Sequence, residues 1–220
     1  MSWPHAILLL FTLAASMQEM LQNYRLQLQG NALYAQRAYG RAESVFRQLL
    51  TTLPEGQKRA PARFNLGCAL YMQAKYPEAE TLFASAAKPA ITSDDLRLQA
   101  LFNEGNTLAM RAISSSTKES KIKLFRQSLD RFRSVLLADK ERGDAKINYE
   151  VVRRYLQELE TPPRGSSSSL KKSPAPQPAS GIGSAVAERL LEHSREEESA
   201  LMQRLPQPGA KSAKKNTLDW

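Results

Sequence analysis

The chain has 220 residues, 42% of them hydrophobic, which is enough apolar material for one or two globular domains. Its formal net charge is +9, and its single cysteine, Cys68, excludes an intramolecular disulfide and a multi-thiolate metal site. The only histidines, His5 and His193, lie near the two ends, and no glycine-rich phosphate loop or nucleophile motif is present, so the sequence predicts a non-enzymatic protein without a metal or other cofactor.

The first predicted element is a largely apolar run over residues 6–15, followed by Ser16. It is too short to cross a bilayer, which needs about twenty apolar residues. The small residues at 14–16 are typical of a signal-peptide cleavage site. We therefore predict a signal peptide or short anchor over residues 1–16 and an exported protein, periplasmic or membrane-associated. A buried N-terminal helix in a cytoplasmic protein is the alternative.

Residues 17–160 contain a repeated pattern. Gly30, Gly67 and Gly105 open similar segments at intervals of 37 and 38 residues, slightly above the roughly 34 of tetratricopeptide repeats. Downstream of the first two glycines come an aromatic residue and an Ala-x3-Phe element (Ala42 to Phe46 and Ala79 to Phe83). The pattern predicts an all-α solenoid of helix hairpins in which each glycine lets two helices approach closely. Phe46 and Phe83 are expected to fill the gap toward the next unit.

Helix ends and irregular features of the repeat are also readable. Pro54 should end a second helix, and Pro77 should lie near the start of one, because proline lacks an amide donor. The third unit carries about eleven extra residues around Ser114, which predicts a polar loop and a lengthened second helix from about Glu119 to Leu137. A last helix from Asp144 to Leu159 has no partner helix and is expected to cap the stack.

Stacked hairpins curve, and their first helices line the concave side. Alignment of the units predicts a peptide-binding groove with apolar, aromatic and amide side chains. The candidate groove residues are Asn31, Tyr34, Phe64, Asn65, Tyr71, Met72, Phe102, Asn103, Asn106 and Tyr155. Equivalent asparagines at 65, 103 and 148 either bond to neighbouring backbone or line this groove. Gln27, Gln99 and Asn103 stand where chaperone-type repeats place basic residues that clamp a terminal carboxylate, so that ligand class is disfavoured.

Basic residues are densest between Arg111 and Arg133, with seven Lys or Arg against two acidic residues. Phe125 and Phe132, the aromatics in this stretch, fall at positions typical of a core. A solvated basic face is therefore favoured over nucleic-acid binding, and contact with an anionic membrane surface stays open. We expect proteins or peptides as partners, not a small-molecule substrate.

The C-terminal quarter changes composition. Residues 161–184 are rich in Ser and Pro and read as a disordered linker. Residues 185–205 regain a helical period, and residues 206–220 form a basic, flexible tail that ends in Asp219-Trp220. A helix on a long tether is typical of a docking element. Its candidate docking residues are Leu190, Leu191, Leu201, Asp219 and Trp220.

Taken together, these features resemble the small tetratricopeptide proteins of the bacterial aerotolerance (Bat) operons. The matching segments are Phe64-Asn65-Leu66-Gly67, Asp144-Ala145-Lys146-Ile147-Asn148-Tyr149-Glu150, the helix Leu190 to Glu198 and the Asp219-Trp220 ending. The resemblance implies a scaffold that assembles a cell-envelope complex with von Willebrand-type metal-adhesion proteins and a MoxR-type ATPase, linked to stress or oxygen tolerance. The alternative is a cytoplasmic peptide-binding co-chaperone or adaptor.

Overall fold

A computed structural model describes the backbone of residues 3–54, 56, 59–89 and 92–161, with side chains from Ala14 onward. This part of the chain contains seven α-helices and no strand, and each helix packs against the next one in sequence. The helices are α1 (Trp3–Ala35), α2 (Tyr39–Thr52), α3 (Arg59–Tyr71), α4 (Tyr76–Ala86), α5 (Asp94–Ser114), α6 (Lys118–Ala138) and α7 (Gly143–Glu160). The described residues thus form an all-helical, repeat-like solenoid, as the sequence predicts.

A glycine in the first helix of each hairpin lies under a phenylalanine ring of the second helix. A Cβ atom would lie 2.8 Å from the ring at the second hairpin and 2.7 Å at the third. The pairs are Gly30–Phe46, Gly67–Phe83 and Gly105–Phe132. Such distances are well below van der Waals contact, so the predicted role of the glycines is confirmed. Phe46 and Phe83 were expected to fill the gap toward the next unit. Each ring instead packs on the glycine of its own hairpin.

The first two hairpins also share the same turn. Arg37 and Ala74 both adopt a left-handed backbone, with φ of 59° and 58°. The next amide in each turn donates to a carbonyl five residues earlier, at 2.9 and 3.0 Å. An edge-to-face tyrosine pair closes each turn, Tyr34–Tyr39 at 5.2 Å and Tyr71–Tyr76 at 5.5 Å. The repetition in sequence is therefore a repetition of geometry.

Local signals fix several helix ends. Pro54 directly follows the C-cap of α2, and Pro77 occupies the first turn of α4, as predicted. Ser93 and Thr117 act as N-caps because their hydroxyl oxygens accept backbone amides three residues downstream.

The third hairpin is longer than the second, and its second helix is longer than those of both earlier hairpins. α5 and α6 each contain 21 residues, against 13 in α3 and 11 in α4. The lengthened second helix is confirmed, but the expected polar loop shrinks to residues 115–117 because α5 continues through Ser114. The buried Ser128 hydroxyl takes the place of alanine and donates to the Gly105 carbonyl at 2.7 Å.

The stack is tighter on one side than on the other. First helices of neighbouring hairpins contact one another (α1–α3, α3–α5, α5–α7), whereas second helices of neighbouring hairpins contact each other at most marginally. We use the name inner side for the side of the stack that the first helices share. α7 packs on α6 as the last helix of the described residues, in the place predicted for a cap.

At the N-terminus, α1 runs without a break from Trp3 past the predicted boundary at Ser16 to Ala35. Within the ranges that the structure describes, none of the helices combines the length and hydropathy needed to cross a bilayer. Apart from Thr161, which is the C-cap of α7, the predicted linker (161–184), amphipathic helix and tail lie outside the described residues.

Candidate functional site

The candidate site is the inner side of the stack, formed by α1, α3, α5 and α7. Most of the ten predicted groove residues are buried there: Tyr34, Phe64, Asn65, Tyr71, Phe102, Asn103 and Asn106. The other three, Asn31, Met72 and Tyr155, are partly exposed. We use the name inner groove for six partly exposed side chains of the first helices and of the turn after α3, namely Gln27, Asn31, Met72, Gln99, Val151 and Tyr155.

The buried aromatics are held by neighbours within the stack. Phe64 packs edge to face on Phe83 of its own hairpin, with ring centroids 5.6 Å apart. Phe102 makes the equivalent contact at 5.7 Å, and the guanidinium of Arg142 covers it at 5.3 Å from the ring centroid. These rings therefore shape the floor of the inner groove and leave little surface for a partner to touch.

The equivalent asparagines join one unit to the next. Each donates from its amide nitrogen to a side chain of the preceding first helix. The bonds are Asn65 to Asn31 Oδ1 at 3.2 Å, Asn103 to Cys68 Sγ at 3.7 Å, and Asn148 to Asn106 Oδ1 at 2.8 Å. Sequence reasoning considered backbone bonding or a groove position, whereas the structure places these amides in side-chain bonds across the unit boundaries. Gln27 adds a donor to Asn31 Oδ1 at 3.3 Å.

One of these asparagines, Asn106, has a hydrogen-bond donor without an acceptor in the described part of the chain. The amide nitrogen of Asn106 is buried and has no hydrogen-bond acceptor among the described residues, although its oxygen accepts from Asn148. A buried amide without a partner costs about 1–3 kcal/mol, so this nitrogen is a local destabilising feature of the stack.

Cys68 lies in the same row and is almost completely buried. Burial raises the pKa of its thiol well above the usual range, and the bond from Asn103 only partly opposes this. The side chain is therefore a neutral thiol at physiological pH, and it acts as a small packing element and weak acceptor, not as a nucleophile.

Ion pairs join the hairpins on their other side. The nearly buried Glu43 of α2 accepts from Gln73 at 2.9 Å and from Lys75 at 2.8 Å, both in the turn after α3. Arg47 bonds to Glu43 and to Glu78 of α4, the latter at 2.7 Å. Sequence reasoning missed these contacts because charges on a helix usually face solvent.

One further carboxylate continues this arrangement, and another forms an ion pair within a hairpin. Glu80 of α4, at the register position of Glu43, pairs with Arg111 of α5. In the third hairpin the buried Glu104 lies 2.8 Å from Nε of Arg131. Desolvation raises the pKa of Glu104 in spite of the arginine, so this carboxylate is poorly compensated.

The inner groove offers amide donors and acceptors beside apolar surface. The carboxylates described above instead form ion pairs that join one helix to another. Such a surface binds chains that present alternating carbonyl, amide and apolar groups. Comparison with known proteins adds no assignment: no protein-family model matches the chain, and no curated protein matches it in sequence.

Proposed function

We propose that the protein is a tetratricopeptide-type scaffold that binds segments of partner proteins along its inner groove. Support comes first from the repeated geometry, since a glycine–phenylalanine pair and the same turn recur near the spacing of that repeat class. Repeat stacks of this kind present extended curved surfaces that suit protein partners.

The observation that carries the proposal is the set of partly exposed amide and apolar side chains that make up the inner groove. The side-chain amides of Gln27 and Gln99 can pair with backbone carbonyl and amide groups of a bound peptide. Partly exposed Met72, in the turn after α3, adds an apolar contact. A peptide segment can make both kinds of contact at once.

The proposed ligand is an internal segment of a partner, not its C-terminal carboxylate. Asn103, which stands where a clamp would have a basic residue, already bonds to Cys68, and Asn65 already bonds to Asn31. Gln27 and Gln99 are uncharged and cannot compensate a carboxylate.

The resemblance to Bat-operon proteins supplies the proposed partners: von Willebrand-type adhesion proteins and a MoxR-type ATPase in the cell envelope. The segment 185–205 and the Asp219-Trp220 ending are proposed as a second, tethered contact. Tethering raises the effective concentration of one contact once the other has formed.

The test is capture of partners by the full-length protein in its native cells, with cross-linking and mass spectrometry. Two double variants are compared with the parent. Gln27→Lys with Gln99→Lys adds charge to the inner groove, and Gln48→Lys with Gln127→Lys makes the same change on exposed positions of the second helices. We expect the first variant to lose the von Willebrand-type proteins and the ATPase at least about tenfold, and the second to retain them.

Equal capture by both variants would remove the groove from the proposal. Recovery of general chaperones in place of envelope proteins, together with an intact Met1 by mass spectrometry, would instead support the cytoplasmic co-chaperone.

A further inference from the structure

Exposed apolar side chains are concentrated on α1. Of the seven large hydrophobic residues exposed in the described part of the chain, five lie on this helix. We call them the α1 stripe: Met17, Met20, Leu21, Tyr24 and Leu28. Met17 is 56% exposed and Met20 is 64% exposed, although both belong to a helix whose later part is well packed.

Alignment of the repeat units shows which helix contact the α1 stripe lacks. Leu28 lies two residues before Gly30, as Asn65 and Asn103 lie two residues before Gly67 and Gly105. In the later units this position contacts the first helix of the preceding unit. α1 is the first helix of the described stack, so the surface that a preceding helix would cover is open, and it is apolar where the later units have an amide.

The spacing of the residues in the α1 stripe is typical of a helix that pairs with an identical helix. Residues 17, 21, 24 and 28 follow one another at intervals of four, three and four, which is the heptad pattern of a coiled-coil seam. In the sequence the same spacing continues upstream through Ile7, Leu10 and Ala14. The opposite face of α1 carries the buried Leu26 and Gly30, which pack into the protein's own stack.

The area available agrees with a modest dimer. Five side chains exposing about 100 Å² each remove roughly 1,000 Å² from water when two copies pair, which is the lower end for a specific interface. The positions that flank such a seam are Gln18, Met20, Arg25 and Gln27, of which only Arg25 is charged. Because the same patch serves both copies, the pairing closes on itself and does not extend into a fibre.

From these observations we infer that a second copy of this chain covers the α1 stripe, and that the protein is a symmetric dimer joined by its α1 helices. The stripe lies downstream of Ser16, so it is present whether or not the N-terminal segment is removed. The inference concerns self-association alone and does not depend on which partners the inner groove binds.

Sedimentation equilibrium of the purified full-length protein tests the inference, with the mature N-terminus identified by mass spectrometry. The parent is expected to be a dimer, and Leu21→Glu should raise the dissociation constant at least about tenfold, because it brings two carboxylates into an apolar seam. Ile147→Glu is the matched control, since Ile147 is 57% exposed on α7 and outside the stripe. Circular dichroism should show equal helicity in all three proteins.

The inference is overturned if the parent is monomeric at about 100 μM, or if Leu21→Glu and Ile147→Glu have the same effect. Monomeric protein that binds phosphatidylglycerol vesicles through the stripe, and loses that binding with Leu21→Glu, would assign the stripe to lipid. Monomeric protein in which Met17 and Met20 resist oxidation until residues 185–205 are deleted would assign it to the C-terminal segment. Either result excludes the second copy.

Discussion

At the scale of single residues, three glycines carry the architecture. Each glycine lacks a side chain at the point where a phenylalanine of the facing helix lies. The ring fills the space that the glycine leaves. Neither residue would help without the other, because a ring without the glycine would push the helices apart and a glycine without the ring would leave a cavity.

Gly67→Ala should therefore destabilise the protein by about 1–3 kcal/mol, because its Cβ would overlap the buried Phe83 ring. Urea unfolding followed by circular dichroism measures the change. Gly40→Ala is the control, since its Cβ would meet only Gln73 at 3.7 Å, an ordinary contact. Equal stability of Gly67→Ala and the parent would contradict the role assigned to the glycine.

How far residues could be predicted depended on how many environments suit them. Gly67 and Phe83 were predictable because their spacing is compatible with few arrangements other than a close helix pair. Asn65 was not, because an asparagine on a helix can bond to water, backbone or a neighbouring side chain. Tyr71 and Phe102 were predicted to line the groove, but both are buried beneath it. The sequence could not distinguish a buried aromatic from one exposed in the groove, since both occur at helical spacing.

At the scale of helices, the order and most boundaries follow from local signals, but the joints between hairpins do not. Pro54, Pro77, Ser93 and Thr117 act within one or two turns of their own position, so their effects are readable from the sequence. Glu43 instead depends on a turn about thirty residues downstream, whose position is fixed only after the hairpins stack.

Glu43 makes the joint between the first two hairpins sensitive to pH. Burial raises the pKa of Glu43, but bonds from Lys75, Gln73 and Arg47 outweigh it and lower the pKa from 4.5 to about 2. A carboxyl whose pKa is lower in the folded state stabilises the fold above pH 4.5 and loses this contribution as the pH falls toward 2.

Glu43→Gln should accordingly reduce the free energy of unfolding at pH 7 by on the order of 1–2 kcal/mol, with the difference shrinking between pH 4.5 and 2. Thermal or urea unfolding across this range provides the measurement. Glu141→Gln, in an exposed loop position, is the control. A constant difference at all pH values would show that the effect comes from packing and not from ionisation.

At the scale of the whole molecule, each unit contacts mainly its neighbours, so stability should be distributed along the stack and not shared uniformly. α7 has neighbours on one side only within the described residues. Local opening at this end is expected to cost less than opening in the middle.

Val152→Ala in α7 and Val135→Ala in α6 remove the same two methyl groups from completely buried positions, each at a cost of about 1–3 kcal/mol. Hydrogen exchange should increase mainly in α7 for the first variant, and across α5, α6 and α7 for the second. A uniform increase over all helices in both variants would indicate a single cooperative unit.

The long second helix of the third hairpin carries positive charge beyond the neighbouring hairpin. α6 begins 14 residues before Phe132, whereas α4 begins seven before Phe83, so the third hairpin projects by about 10 Å beyond its neighbour. Lys118, Lys121 and Lys123 lie at the start of this projection. With Glu119 as the acidic residue among them, these lysines make the projecting end of the hairpin locally basic, so an anionic surface would attract this end of the described chain.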